Sequence, residues 1–280
     1  MKRQKILDFT KERLKSDIAF DIIVSIYLAF CLGSAIYLGV VGVTGTCIRA
    51  IAFMLFVPVI LLAEWLFRLK ITPATCALLL FVPTGSLLGG AGYNLYTIIP
   101  FFDTILHGIS GVVFACIGFA FLKIFIGEPE NTKSFIACLL VGLIFSMAIA
   151  SLWELFEYTV HLVTGFDIEE DTVVSGFQSF LLSGDHNNPE VFKDITETII
   201  YYGNGQEYHI NGYLDIGLID TICDMAICSG GAVLVSIIVA IDWFADKKKY
   251  LYRFFIPKYT GEKKTPRPEE PPQNEEPATV

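Results

Sequence analysis

Residues 22–42 read IIVSIYLAFCLGSAIYLGVVG, a run with no charged residue between Asp21 and Arg49. At the rise of an α-helix it covers about 30 Å, the thickness of a bilayer core. A basic segment precedes it, as in a signal peptide. The apolar stretch is longer than the roughly 7–15 residues usual there and no small-residue cleavage site follows, so it reads as a span. Working outward, further long apolar runs, with few charges, occupy about 50–67, 72–93, 103–126, 134–163 and 213–244. The expected fold is all-α: a polytopic six-helix transmembrane bundle spanning residues 19–246, with a small extracytoplasmic loop.

Composition agrees. Hydrophobic residues make up 54% of the 280 residues and charged residues 18%. Counted with glycine and without tyrosine the apolar share is about 58%, against about 45–50% in soluble domains. Mean hydropathy is +0.58. Too few charges remain to cover a soluble surface, and disordered, fibrous and disulfide-scaffold classes are excluded. Contact with a lipid bilayer is expected, and no nucleic-acid partner.

The net charge of −9 conceals an uneven distribution. Six cations precede the first run (Lys2, Arg3, Lys5, Lys11, Arg13, Lys15), and Arg68, Lys70, Lys123 and Lys133 lie in two even-numbered connections. Eight more follow the last run, from Lys247 to Arg267, whereas the opposite connections hold only Arg49 and Lys193. Cytoplasmic loops carry the excess of lysine and arginine, so both termini are expected in the cytoplasm of a multi-pass plasma-membrane protein. Residues 1–18 predict a basic amphipathic helix lying on the anionic inner leaflet. Residues 258–280, rich in Pro and Glu, predict a disordered cytoplasmic tail.

The outer loop, 164–212, is acidic. Its second half, residues 196–202, Gly203-Asn204-Gly205 and residues 206–210, predicts a β-hairpin. The loop as a whole reads as a solvated cap with cation attraction as the weaker alternative. Seven cysteines sit mostly inside spans and match neither a disulfide framework nor a zinc spacing.

Ionisable residues inside spans are costly and direct attention to function. Asp103 and His107 lie at i, i+4 in the fourth run, Glu154 and Glu157 at i, i+3 in the fifth, and Asp220 and Asp224 at i, i+4 in the sixth. Each spacing puts two side chains on one helix face. Counted along the helices, all six lie within roughly 16 Å of the outer ends. Five carboxylates in low dielectric need protons or a cation, and these spans offer no lysine or arginine on that side. A divalent metal meets the need: carboxylate oxygens with one imidazole suit Zn, Mn, Mg or Fe, with His107, Glu154, Glu157, Asp220 and Asp224 as candidate ligands. All six, Asp103 included, are candidate catalytic residues. A bound water would gain acidity, and a carboxylate could serve as general base. His161 is a candidate peripheral ligand.

Plainer readings stand beside this one. Asp103 follows Pro100-Phe101-Phe102 and can equally be an N-cap. Glu154 and Glu157, flanked by Trp153, Phe156 and Tyr158, can be hydrated at the interface. His107 alone can be a packing residue.

Three strings, Asp103-Thr-Ile-Leu-His107-Gly-Ile-Ser-Gly111, Trp153-Glu-Leu-Phe-Glu157 and residues 212–224 ending in Asp220-Thr-Ile-Cys-Asp224, together resemble the YjdF-like bacterial inner-membrane proteins. The likeness covers about residues 95–240. It implies a bacterial inner membrane and a shared site at these six positions, and it assigns no chemistry. The leading expectation is a metal-dependent hydrolase or transferase acting on a lipid-linked envelope substrate in the outer leaflet. The alternatives are a cation- or proton-coupled transporter, and a non-catalytic sensor or scaffold subunit whose protein partners the sequence does not name.

Overall fold

In the computed structural model, residues 5–245 and 249–261 are described. The chain opens with α1 (Ile6–Ser16) and α2 (Ile18–Val41). Between them Asp17 accepts a hydrogen bond from the Phe20 amide at 3.3 Å and caps α2. Gly42, at φ 86°, ends α2 in the left-handed region. Helices α3 (Thr44–Phe53) and α4 (Phe56–Phe67) form one crossing broken by a turn at Met54 and Leu55. A short strand, β1 (Leu69–Lys70), leads into α5 (Pro73–Thr84), which Thr72 caps and Pro73 starts. Pro83 has no amide hydrogen to give the preceding turn, and the backbone continues as a π-helical turn over Gly85–Gly90.

After a single turn, α6 (Leu95–Ile98), come two long helices, α7 (Phe102–Ile126) and α8 (Thr132–Thr164). Asn131 and Ser134 form a capping box at the start of α8. The connection beyond holds β2 (Thr172–Val174), β3 (Phe177–Ser179), α9 (Phe180–Ser183), β4 (Glu190–Phe192), β5 (Thr198–Tyr202), β6 (Gln206–Ile210) and β7 (Tyr213–Asp215). The last crossing, α10 (Leu218–Ala245), is followed by α11 (Tyr250–Phe255) and β8 (Lys258–Tyr259).

Among the described residues, six helical segments are long and apolar enough to cross a membrane, as the apolar runs predict. They pack as two groups. Phe20, Cys31, Leu80 and Leu88 anchor a core among α2–α5 and the π-turn. Phe119, Phe135, Cys138 and Val239 anchor a second among α7, α8 and α10, closed by Tyr252 of α11. Outward-facing Ile22, Phe30, Ile144, Leu152, Leu234 and Ile241 leave an apolar exterior in contact with lipid. None of the seven cysteines is bonded to another.

Four antiparallel strand pairs lie at the two ends: β1–β8, β2–β7, β3–β4 and β5–β6. The β5–β6 pair is the hairpin expected from its turn residues, with Thr198 opposite Ile210 and both Gly203 and Gly205 at positive φ. Two expectations shift. Residues 213–217 precede the sixth crossing rather than opening it, because Tyr213–Asp215 pair with β2 and Gly217 turns at φ 86° before α10 begins. Lys258 and Tyr259 belong to a strand against β1, so the tail expected to be disordered from residue 258 is ordered at its start; residues 262–280 lie outside the described ones.

We call the end bearing α1 and the α11–β8 segment the terminal face and the end bearing residues 165–217 the hairpin face. On the terminal face α1 does not simply lie on lipid. Arg13 turns inward, 4% exposed, and donates from Nε to Glu64 Oε2 at 2.8 Å and from Nη2 to the Ile71 carbonyl at 2.8 Å. Its guanidinium lies 3.8 Å from the Phe20 ring centroid.

On the hairpin face, His209 stands between two acids, with Nδ1 2.7 Å from Glu197 and Nε2 3.3 Å from Glu207. Hydrogen bonding to Glu197, then to Glu207, raises its pKa above the ordinary 6.5. The contribution to hairpin stability is therefore fully present below the ordinary value and lost as pH rises through the folded one. A proton NMR titration of the imidazole should give a midpoint above 6.5, and Glu197→Gln should lower it; an unmoved midpoint would refute the pairing.

Candidate functional site

The close approach of α7, α8 and α10 sets the geometry. A Cβ on Gly111 would overlap the Cys228 carbonyl oxygen, and one on Gly231 would overlap the Gly108 carbonyl oxygen. Gly118 of α7 meets Gly142 and Phe145 of α8 in the same manner. Small residues of this kind let membrane helices touch backbone to backbone. Ser146 of α8 then donates to the Gly111 carbonyl at 3.2 Å, tying the third helix to the pair.

With the axes held this close, side chains one turn towards the hairpin face converge. Asp103 and His107 project from α7 and Asp224 from α10. His107 Nε2 lies 3.5 Å from Asp103 Oδ2 and 3.5 Å from Asp224 Oδ2. One donor atom from each residue falls within 4.8 Å of the others. A separation of 3.5 Å exceeds the usual N–H···O range of about 2.7–3.2 Å. It is close to the edge of a tetrahedron whose arms are about 2.1 Å, the length of zinc–imidazole and zinc–carboxylate bonds. Asp224 is buried, and Asp103 and His107 are half-buried. The N-cap alternative for Asp103 is not realised, since the helix starts at Phe102 with no side-chain cap.

Around this triad the other three residues take different positions. Glu154 is 6% exposed, and neither carboxylate oxygen has a hydrogen-bond partner among the described residues. Asp103, Asp220 and Asp224 are near enough to interact with it electrostatically. Glu157, half-buried, accepts from the Trp153 indole N–H at 2.8 Å. Asp220, one turn from Asp224, accepts from the Glu170 backbone amide at 3.1 Å. His161 lies outside the triad, with Nδ1 3.8 Å from Asp167.

Three contributors escape a reading of spans. The chain after α8 folds back over the start of α10, burying Glu169 against Gly217 and bringing the Glu170 amide to Asp220. Burial, followed by the charges of Asp103 and Asp167, holds the Glu170 carboxyl above the ordinary carboxylate range. Tyr96 of α6 lodges over Gly90 and shares a 2.8 Å hydrogen bond with Ser86 of the π-turn. Burial raises its phenol to about 12, and the charges of Asp103, Glu157 and Glu170 act in the same direction. The acidic run Glu169-Glu170-Asp171 is the only sequence signal for the first two; Tyr96 gives none, being one aromatic among many near span ends.

The resulting cluster, called the chamber below, gathers carboxylates from three helices and a loop around one imidazole, with the Tyr96 phenol near enough to feel Asp103 and Glu157. No lysine or arginine forms an ion pair with any of them among the described residues. Such a donor set is suited to a cation.

The family model described as "Predicted membrane protein (DUF2238)" matches residues 21–243, which include every residue of the chamber. No curated protein and no solved structure matches the chain.

Proposed function

The chain belongs to the DUF2238 family of predicted membrane proteins, and from that premise we propose that it is a metal-dependent membrane hydrolase or transferase. The carrying observation is the His107 imidazole held 3.5 Å from two carboxylates on two helices, with the unpartnered Glu154 carboxylate buried nearby. Asp103, His107 and Asp224 would hold a divalent ion such as Zn, Mn, Mg or Fe, with Glu154 as a fourth ligand or as the base. When bound, the ion would acidify a coordinated water at neutral pH. Glu154, buried beside the triad with no hydrogen-bond partner to either oxygen among the described residues, would be the candidate base. Glu157 and Asp220, fixed by Trp153 and the Glu170 amide, would orient the chamber. Ser86 and Tyr96 could donate to an oxygen of the scissile group.

The distribution of lysine and arginine supports a cytoplasmic terminal face, which would leave the chamber on the opposite side. In a bacterial plasma membrane the substrate class would then be a lipid-linked envelope ester or phosphoester in the outer leaflet. Transport would need a polar path continuing to the terminal face. There, Arg13–Glu64 and Lys123–Glu128 are locked in ion pairs, which favours a one-sided site.

Elemental analysis of the protein purified without chelator should find about one equivalent of divalent metal, falling at least tenfold in Asp224→Ala and His107→Ala; losing one ligand of a small set costs affinity on this scale or more. Folding is checked independently by thermal unfolding. A folded, metal-free wild type that takes up no Zn or Mn on dialysis would sink the reading.

A further inference from the structure

A second site lies on the terminal face, far along α7 and α10 from the chamber. A cleft of about 660 Å³ opens between the start of α2, the ends of α7 and α10, and the α11–β8 segment. That is ample for a small ligand or headgroup. Five cations line it: Lys70, Lys123, Lys249, Arg253 and Lys258.

Its two lining carboxylates are already engaged. Asp17 caps α2 through the Phe20 amide and faces Arg13 at 3.5 Å and Lys70 at 3.7 Å. Glu128 accepts from Lys123 Nζ, from the Tyr252 hydroxyl at 2.9 Å and from the Tyr259 amide at 2.7 Å. Nothing is left over for the rest of the rim. Lys249, Arg253 and Lys258 have no carboxylate partner among the described residues. Lys249 leans on the Trp243 ring, 3.0 Å from its centroid. Burial, followed by the charge of Arg253, pushes the Lys249 ammonium below the ordinary lysine range, against the opposing charge of Asp242.

Three cations around one cleft, none ion-paired to a carboxylate among the described residues, call for an anion of more than one charge. An arginine among them suits the planar, bidentate capture of phosphate oxygens. Tyr252 and Ile256 give the cleft an apolar side against which a carbon skeleton could rest. We infer that this cleft binds a phosphate-bearing anion, with Arg253, Lys249 and Lys258 on the phosphate oxygens. The phosphate belongs either to a lipid headgroup at the span ends or to a soluble phosphorylated compound.

The test uses the full chain in phosphatidylcholine nanodiscs with two probes. Phosphatidic acid is incorporated in the discs and its retention counted by native mass spectrometry; inorganic pyrophosphate is titrated by calorimetry. Saturable binding of phosphatidic acid alone identifies a headgroup, and saturable binding of pyrophosphate identifies a soluble ligand. In either case Lys249→Ala/Arg253→Ala should weaken binding roughly a hundredfold, about tenfold for each charge-assisted contact, with Lys133→Ala unchanged. Lys258→Gln, at a strand edge, should cost about tenfold and serves if the double variant fails to fold. The inference is overturned if neither probe saturates the wild type, if the variants bind as wild type does, or if binding appears only after residues 262–280 are removed. The last result would assign the cleft to the acidic tail.

Discussion

Glu64→Leu should lower the unfolding free energy by about 3–5 kcal/mol, the usual cost of removing one partner from a buried ion pair. Arg13 and Glu64 side chains are 3% and 0% exposed, so solvent cannot take over the lost charge. The same carboxylate also accepts from the Ile71 amide at 2.6 Å, so the substitution leaves a guanidinium and a backbone N–H short of acceptors together. Among the described residues Arg13 would retain only the Ile71 carbonyl and Asp17 at 3.5 Å as acceptors, with the Phe20 ring beneath its guanidinium. Arg13→Met/Glu64→Leu should recover most of the loss, because replacing both partners of a buried pair by apolar groups is often close to neutral. Equilibrium unfolding in mixed micelles measures both. If the double variant is as unstable as the single one, packing of α1 rather than charge pairing holds this corner.

Gly111→Leu is the second change with a large expected effect, and it reaches the chamber without touching it. The new side chain would meet the Cys228 carbonyl and the backbone of Ala232, which cannot rotate away, so α10 must move from α7. Overpacking of this kind costs on the order of 3 kcal/mol or more. Because Asp103 and His107 ride on α7 and Asp224 on α10, the same movement separates the triad. The variant should therefore lose both thermal stability and divalent-metal retention. Gly230→Ala is the matched control: its neighbour Gly231 is crowded, but Gly230 has no atom within 4 Å of a new Cβ. It should keep metal and be slightly stabilised, since alanine is the better helix former. Metal retention unchanged in Gly111→Leu would mean that the triad does not depend on this contact.

The crossings were legible because a long apolar run with few charges has few other fates in a chain of this composition. Their edges were less so. The pairing of Tyr213–Asp215 with Thr172–Val174 is a contact across 40 residues that apolarity cannot report, and it took five residues from the sixth run. In the chamber, Asp103, His107 and Asp224 were visible as charged pairs at helical spacing. Spacing does not say which partners meet, however: Asp220 turns to the Glu170 amide and Glu157 to Trp153. Arg13 shows the limit most clearly. One arginine in a basic amphipathic segment looks like a lipid-facing charge, and only the fold brings it against a glutamate 51 residues away. Glu169 was hidden for a similar reason, as one acid in an acidic loop.

The terminal face also bears on how the protein is made. Lys123 finds Glu128 almost as soon as α7 is synthesised, but its second acceptor is the carbonyl of Pro257 at 2.8 Å. Likewise β1 waits for β8, and Thr75 for the Phe255 carbonyl. The crossings can enter the membrane in order as the ribosome delivers them, yet this face cannot be sealed until translation has passed Tyr259. A nascent chain halted after α10 would carry Lys123 at the end of a span with half its acceptors missing. Quality-control proteases could distinguish such a chain from the finished protein by that lysine.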